Sequence, residues 1–354
     1  MSIIHVIGLG AGDMNQLPLG VYRHLESKIK QKETVYLRTK LHPVVDTLVQ
    51  EGLIIESFDD TYEQFDAFEK VYETIVEKLV ALANDNTELT YAVPGHPMVA
   101  ESVVQQLLKR DDITVNIVGG HSFIDDLAAA VRIDVIDGFQ LVDALDFRVE
   151  DVVLTQHVMI MQVFNDFVAS DVKLSLMKRY PDDYRVALVH AAGTTQQHVD
   201  WMPLYEIDRL DGVYNLTTLF VPKMAQDDAT ASFQTLQHYM AQIAQNDIWL
   251  KEQTHESLLP YFKEELQEFE QALKNDDIDN MIEELGDLLW QVLFQTSVAE
   301  YDGYFNLEDV LTTLNQKIRR RHPHVFDGVT VNSVKELDAL WQKIKKQEKA
   351  DEIR

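Results

Sequence analysis

The sequence predicts an α/β N-terminal region joined to an all-α, helical C-terminal domain. Three observations carry this. Up to about Val221, short apolar runs alternate with amphipathic stretches, the pattern of strands and helices in a mainly parallel sheet. Several of those runs end in glycine-bearing loops. Beyond Thr230, strand periodicity stops and helical periodicity takes over, with Phe233, Leu236, Met240 and Ile243 on one stripe.

The elements follow in order. Ile3–Ile7 is an apolar run of strand length, closed by Gly8-Leu9-Gly10-Ala11-Gly12-Asp13. Glycines there permit positive φ and close approach of backbone to a ligand. The loop is G-x-G-x-G and lacks the third glycine of the dinucleotide fingerprint, so a plain strand-to-helix turn explains it equally well. A helix is expected near Leu19–Lys30, strands at Val35–Leu37 and Leu53–Ile55, and a long amphipathic helix over Phe65–Asn84. Thr90–Val93 is a further strand, ending in Pro94-Gly95-His96-Pro97, with a helix over Val99–Lys109. Ile113–Val118 runs into Gly119-Gly120-His121-Ser122-Phe123. Ligands of open α/β sheets bind beyond the carboxyl ends of strands, so three such loops together say more than any one. Strands are then expected at His157–Val163, Tyr184–His190, Val199–Tyr205 and Leu216–Val221, with a helix over Val172–Tyr180. His157, His190 and His198 show no ligand spacing and are read as structural.

The helical part holds the densest chemistry. Phe262, Leu266, Phe269 and Leu273 form one amphipathic helix, and Ile278, Met281, Ile282, Leu285, Leu289 and Val292 form a second. The polar break between them is short enough to make them antiparallel neighbours. Glu265 and Glu268 are three apart, as are Glu284 and Asp287, so each pair shares a helix face. Two carboxylate pairs on facing helices can converge into an oxygen cage of the kind Mg²⁺ prefers. The competing reading of Glu264, Glu265, Glu268 and Glu270 is a solvated acidic face. Asp287 weighs against it, because Leu285–Phe294 is apolar nearly all round, as in a buried helix, and a buried carboxylate needs a cation or strong donors. Leu307–Arg319 is a third helix. Cations on or just after it, Lys317 and Arg321 among them, either complement the helix dipole or serve an anionic ligand. Val334–Arg354 is a charged helical tail.

Gln253-Thr254-His255-Glu256-Ser257-Leu258, the E-E-x-x-E segment at Glu264–Glu268, the E-E-L-G-D segment at Glu283–Asp287, and Arg320–Phe326 resemble the MazG-type nucleoside triphosphate pyrophosphohydrolases, over about Trp249–Phe326. The resemblance implies an all-α domain with Glu265, Glu268, Glu284 and Asp287 as Mg²⁺ ligands. It further implies attack of water on the α-phosphorus of a nucleoside triphosphate, releasing a monophosphate and pyrophosphate. Glu264 or Glu265 would orient or deprotonate that water, the sequence not choosing between them. Trp249, Asn315, Lys317 and Arg321 would face the substrate. The family's Cys-Pro-Trp-Asp is here Asp247-Ile248-Trp249-Leu250, which keeps only the tryptophan, so the departure falls on base recognition rather than on the cage.

The three glycine loops, with Asp137–Ala144, resemble the tetrapyrrole (corrin/porphyrin) methylase family over roughly Met1–Pro222, with Ala11 where that family commonly has proline. The resemblance implies two α/β subdomains with S-adenosylmethionine between them, touched by Gly10, Pro94, Gly95 and Ser122. The whole chain thus resembles a fusion of the two families. The expected layout is a methylase-like domain over 1–222 (subdomains about 1–115 and 116–222), a linker over 223–232, and a MazG-like domain over 233–354.

Composition bounds the rest. The 354 residues include 59 acidic and 31 basic side chains, a formal net charge of −28. That field repels nucleic acid and anionic membranes, so neither is an expected partner, and cations must offset it locally at any phosphate site. The absence of cysteine excludes thiol chemistry and Cys-ligated zinc and suits a reducing cytoplasm. No secretory leader or membrane span is expected. Both resemblances imply a homo-oligomer. The rival functions are a tetrapyrrole methyltransferase with a subsidiary helical domain, and a non-catalytic sensing or oligomerising module.

Overall fold

The computed structural model describes residues 1–65, 67–209 and 216–351, which fall into two compact units, Met1–Ala231 and Ser232–Arg354. In the first unit the elements run β1 (Ser2–Gly8), α1 (Leu19–Gln31), β2 (Thr34–Leu37), α2 (Val45–Gln50), β3 (Ile54–Ser57), α3 (Asp59–Gln64), α4 (Phe68–Asn86), β4 (Glu88–Val93), α5 (Ser102–Leu107) and β5 (Ile113–Gly119). These build a five-stranded, all-parallel sheet of order β3-β2-β4-β1-β5. Both of its faces are covered. Ile4, Val6, Tyr91 and Val93 pack with α4 and α5 through Ile75, Leu79, Val104 and Leu107. Ile7, Leu9, Val35 and Leu37 pack with α1 and α2 through Val21, Leu25 and Leu48. Two buried faces explain why these strands read as unbroken apolar runs rather than as alternation.

The second half of this unit adds α6 (Phe123–Val131), β6 (Phe139–Asp143), β7 (His157–Met161), α7 (Asp166–Leu176), β8 (Arg185–His190), β9 (His198–Pro203) and β10 (Thr217–Val221). Its sheet has the order β6-β7-β10-β8-β9 and is antiparallel except between β6 and β7. Val158, Ile160, Leu188 and Leu219 face α7, and Met159, Ala187, Val189 and Phe220 face α6. The helix expected over Val172–Tyr180 starts earlier, because Asn165 caps it by accepting from the Val168 N–H at 2.9 Å. The helix expected from Val99 begins only at Ser102. Ala100 holds φ +54 just before it, a left-handed conformation that helix geometry excludes.

The second unit is helical throughout its described residues: α8 (Phe233–Asn246), α9 (His255–Lys274), α10 (Ile278–Tyr301), α11 (Leu307–Arg321), α12 (Pro323–Phe326) and α13 (Val334–Asp351). Residues 352–354 of the expected tail lie outside the described residues. Its core joins Met240, Leu250, Leu258, Leu293, Phe294 and Val298. The expectation that Leu285–Phe294 is buried all round is corrected. Leu293 and Phe294 are buried, but Leu285 is 52% exposed, and Ile278, Ile282, Leu289 and Trp290 are exposed as well. Ile278, Ile282, Leu285 and Leu289 make a helical stripe that nothing in this unit covers. No helix among the described residues is long and apolar enough to cross a membrane.

Candidate functional site

Thr254 opens α9 with a capping box to Ser257, and Asp277 opens α10 by accepting from the Asn280 N–H at 3.3 Å. The intervening turn, Asn275–Asp277, leaves α9 and α10 side by side and antiparallel. Two contacts fix that register: the Gln291 side chain donates to Glu265 at 3.4 Å, and the Gln295 amide donates to the His255 carbonyl at 3.3 Å.

In this register one oxygen each of Glu265, Glu268 and Glu284 lies within 4.8 Å of the others. Glu284 is 7% exposed, and its Oε2 is buried with no hydrogen-bond partner. Burial, then the charges of Glu268 and Asp287, push the Glu284 carboxyl up. Burial and then Asp287, Glu268 and Glu284 push Glu265 up in the same way, with Gln291 opposing. Asp287 is half-buried and close enough to act on both, but it is not one of the three clustered acids. Glu264 is exposed and points no oxygen into the cluster. A buried, unpartnered carboxylate oxygen among like charges is a costly arrangement that a hard divalent cation relieves, so this donor set fits Mg²⁺.

Trp249 stands edge-on to Tyr261 and Phe294, each at 5.7 Å, and so lies against α9 and α10 while staying 41% exposed. Asn315 and Lys317 are exposed on α11. Arg321, at the end of α11, is engaged by Glu348 of α13 at 2.7 Å rather than by the acid cluster.

In the first unit, β4, β1 and β5 are adjacent and parallel, so their carboxyl ends bring the three glycine loops together. Gly10 and Gly95 pair through both backbone bonds, Gly95 N to Gly10 O at 2.8 Å and Gly10 N to Gly95 O at 3.2 Å. Both hold positive φ, +75 and +65, a conformation that favours glycine. Pro94 precedes that pair directly and is half-buried. Ser122 caps α6, its hydroxyl accepting from the Ile124 N–H at 3.2 Å. A Cβ on Gly8 would come within 2.2 Å of the Gly95 carbonyl oxygen and 2.9 Å of the Gly120 Cα, so the three loops touch backbone to backbone.

Two groupings escaped the sequence reading. Asp126 accepts from the Gln16 amide at 2.9 Å and lies 2.9 Å from the His121 ring, beside Gly193. His190, His198 and Asp200 also converge, each offering a ligand atom within 4.8 Å of the others. His157 stays structural, accepting from the Lys223 N–H at 3.1 Å and stacking on Phe220.

Comparison with known proteins finds the tetrapyrrole (corrin/porphyrin) methylases over residues 4–208 and the MazG nucleotide pyrophosphohydrolase domain over residues 253–326. The Bacillus subtilis (strain 168) protein YabN is 42% identical over 352 residues, covering 98% of this chain and 71% of that protein. The Thermotoga maritima nucleoside triphosphate pyrophosphohydrolase/pyrophosphatase MazG is 48% identical over 101 residues, 28% of this chain and 38% of that protein. The nucleoside triphosphate pyrophosphohydrolase of Escherichia coli (strain K12) is 40% identical over 102 residues, 29% of this chain and 39% of that protein. The match thus spans under two-fifths of either pyrophosphohydrolase. Uroporphyrin-III-C-methyltransferase from Thermus thermophilus superposes with a TM-score of 0.48 at 19% identity, over 63% of this chain and 92% of that one.

Proposed function

Since the chain belongs to the tetrapyrrole (corrin/porphyrin) methylases and carries a MazG nucleotide pyrophosphohydrolase domain behind that region, we propose that its helical unit splits nucleoside triphosphates into monophosphate and pyrophosphate. The observation that carries this reading is the unpartnered, buried Glu284 oxygen set among Glu265, Glu268 and Asp287. Those four side chains would hold Mg²⁺. Bound there, the ion would supply positive charge for the pyrophosphate and acidify a water.

The chain's own residues supply the rest. Glu265 rather than Glu264 would orient the water, because it is half-buried, offers an oxygen to the cluster, and is held by the Gln291 amide at 3.4 Å. Trp249, against Tyr261 of α9 and Phe294 of α10, would offer an aromatic surface to a nucleobase, and Lys317, with Arg321 once it leaves Glu348, would supply cations for the triphosphate. Asn315, on the same helix, is assigned to the substrate with them. The exposed stripe Ile278, Ile282, Leu285 and Leu289 supports a homo-oligomer. The net charge of −28 argues against nucleic-acid and membrane partners, and the lack of cysteine supports a cytoplasmic setting. A panel of nucleoside triphosphates, assayed for pyrophosphate with and without Mg²⁺, tests the reading. Release of pyrophosphate only with the metal is expected, and orthophosphate as the first product would refute it.

A second site is favoured by the Gly10–Gly95 pairing. S-adenosylmethionine would lie against Gly10, Pro94, Gly95 and Ser122, with a tetrapyrrole as the methyl acceptor. The bare backbone of these loops lets a ligand approach closely. Calorimetric titration with S-adenosylmethionine tests it, and no heat at millimolar cofactor would rule it out.

A further inference from the structure

We propose that His121, oriented by Asp126, is the catalytic base of the glycine-loop site and takes a proton from the methyl acceptor. This rests on the reading of those loops as an S-adenosylmethionine site. His121 stands between Gly120, whose Cα a Cβ on Gly8 would meet at 2.9 Å, and Ser122, which caps α6. Its own Cβ lies 3.6 Å from the position a Cβ on Gly10 would take. The imidazole is thus carried by the third glycine loop and borders the first.

Three histidines stand at these loops, and their hydrogen bonds tell them apart. His42 Nε2 lies 2.7 Å from the Gly10 carbonyl, and its Nδ1 accepts from the Val44 N–H at 3.4 Å. His96 Nδ1 accepts from the Met98 N–H at 3.1 Å. The lone pair of each neutral ring is therefore already taken by backbone. His121 is the reverse case. Its Nε2 lies 2.9 Å from Asp126 Oδ2, which also takes the Gln16 amide at 2.9 Å. A carboxylate can only accept, so Nε2 carries the hydrogen and Nδ1 keeps its lone pair. Nδ1 has no partner among the described residues, and the side chain is 28% exposed. A carboxylate behind an imidazole holds the tautomer and stabilises the imidazolium that forms, the arrangement a general base needs.

The step balances. The acceptor's nucleophilic atom gives its electron pair to the methyl carbon, and the carbon–sulfur bond breaks with its pair left on sulfur. The acceptor's proton passes to His121 Nδ1. One positive charge thus moves from the sulfonium to an imidazolium beside the Asp126 carboxylate. The acceptor class this fits is a nucleophile that still carries its proton, such as a ring whose pyrrole N–H is lost as a ring carbon is methylated.

The test uses the full chain. Without cofactor, and well above the ordinary histidine range of pH, two-bond ¹H–¹⁵N spectra are expected to show His121 as the Nε2–H tautomer. His121→Gln keeps a donor for Asp126 but has no basic nitrogen. Its S-adenosylmethionine affinity by calorimetry is expected to be unchanged, while transfer to uroporphyrinogen III, read as S-adenosylhomocysteine, falls by about 10²–10⁴-fold. Added imidazole is expected to restore part of the transfer in His121→Ala, which loss of a merely structural residue would not allow. No cofactor heat from the unaltered chain sinks the S-adenosylmethionine reading and this proposal together. Cofactor binding accompanied by an Nδ1–H tautomer, by no transfer from the unaltered chain, or by full transfer from His121→Gln overturns the base and leaves the cofactor site standing.

Discussion

Glu348 of α13 holds Arg321 of α11 at 2.7 Å and Arg320 at the same distance. The two guanidinium groups hold its carboxyl down at about 2. Arg321 therefore cannot clamp a phosphate with the same donors while Glu348 keeps them. If Arg321 serves the triphosphate, Glu348→Gln lowers KM up to about fivefold with kcat unchanged, the scale of an exposed ion pair. The pair persists from pH 8 down past the ordinary glutamate range and is lost as pH falls through about 2. Arginine release by acid thus plays no part in any pH–rate profile above pH 4. Steady-state kinetics of the variant decide between a phosphate clamp and a purely structural clasp.

The acid cluster gives the second prediction. Glu268→Gln or Asp287→Asn should cut pyrophosphate release by more than the roughly 10–100-fold that losing an outer-shell partner costs. Circular dichroism should be unchanged, since Glu268 is exposed and Asp287 half-buried. Activity near that of the unaltered chain would remove both from the site.

A third prediction concerns pH and metal. Glu265 and Glu284 have raised pKa values in the folded chain. A carboxyl raised on folding favours the folded state while protonated, and that advantage is lost as pH rises from the unfolded value of about 4.3 through the folded one. The metal-free protein is then penalised at neutral pH and relieved in mild acid. Thermal melts should show Mg²⁺ raising Tm more at pH 8 than at pH 5. Glu284→Gln in chelator should melt above the unaltered chain at pH 8 and lose the Mg²⁺ response.

A fourth prediction tests the buried ion pair of the first sheet's surroundings, Arg38 with Glu101. Glu101 is 5% exposed and takes a 2.6 Å bond from Arg38, which also donates to the Tyr62 hydroxyl at 3.0 Å. Arg38→Met strands a buried carboxylate and should cost about 3–5 kcal/mol, whereas Arg38→Met with Glu101→Leu should cost far less. Denaturant melts of the single and double variants measure the difference.

Much of this was legible in the sequence, for reasons particular residues make plain. Ile3–Ile7 and Thr90–Val93 read as strands because both faces of their sheet are buried. The paired acids at i and i+3 mark helix faces whatever the tertiary context. The His190–His198–Asp200 grouping was not legible, because it depends on the register of β8 against β9 across the 191–197 turn, and a shift of one residue would send His198 to the other face. The Glu348 clasp on Arg321 spans 27 residues and has no local signature. The exposure of Leu285 and Leu289 was misread because an apolar helix surface looks the same whether its own chain or another covers it.

The last prediction separates sterics from backbone strain in the glycine loops. A Cβ at Gly8 would sit 2.2 Å from a backbone oxygen of Gly95, which no side-chain movement can relieve. Gly8→Ala must therefore push apart the β1 and β4 loops, at about 1–3 kcal/mol, and spoil the Gly10–Gly95 pairing. Gly95→Ala meets nothing within 4 Å but must hold φ +65, which costs about 1–2 kcal/mol. It keeps the loops where they are. Gly20→Ala, in the first turn of α1 with open space around it, should stabilise by about 0.4–1 kcal/mol. If S-adenosylmethionine binds where proposed, Gly8→Ala loses it because the cradle has changed shape. Gly20→Ala keeps full affinity. Gly95→Ala loses affinity only as far as its new methyl group meets the ligand. Melting temperature and cofactor titration of the three variants, taken together, distinguish a deformed cradle from a merely less stable one.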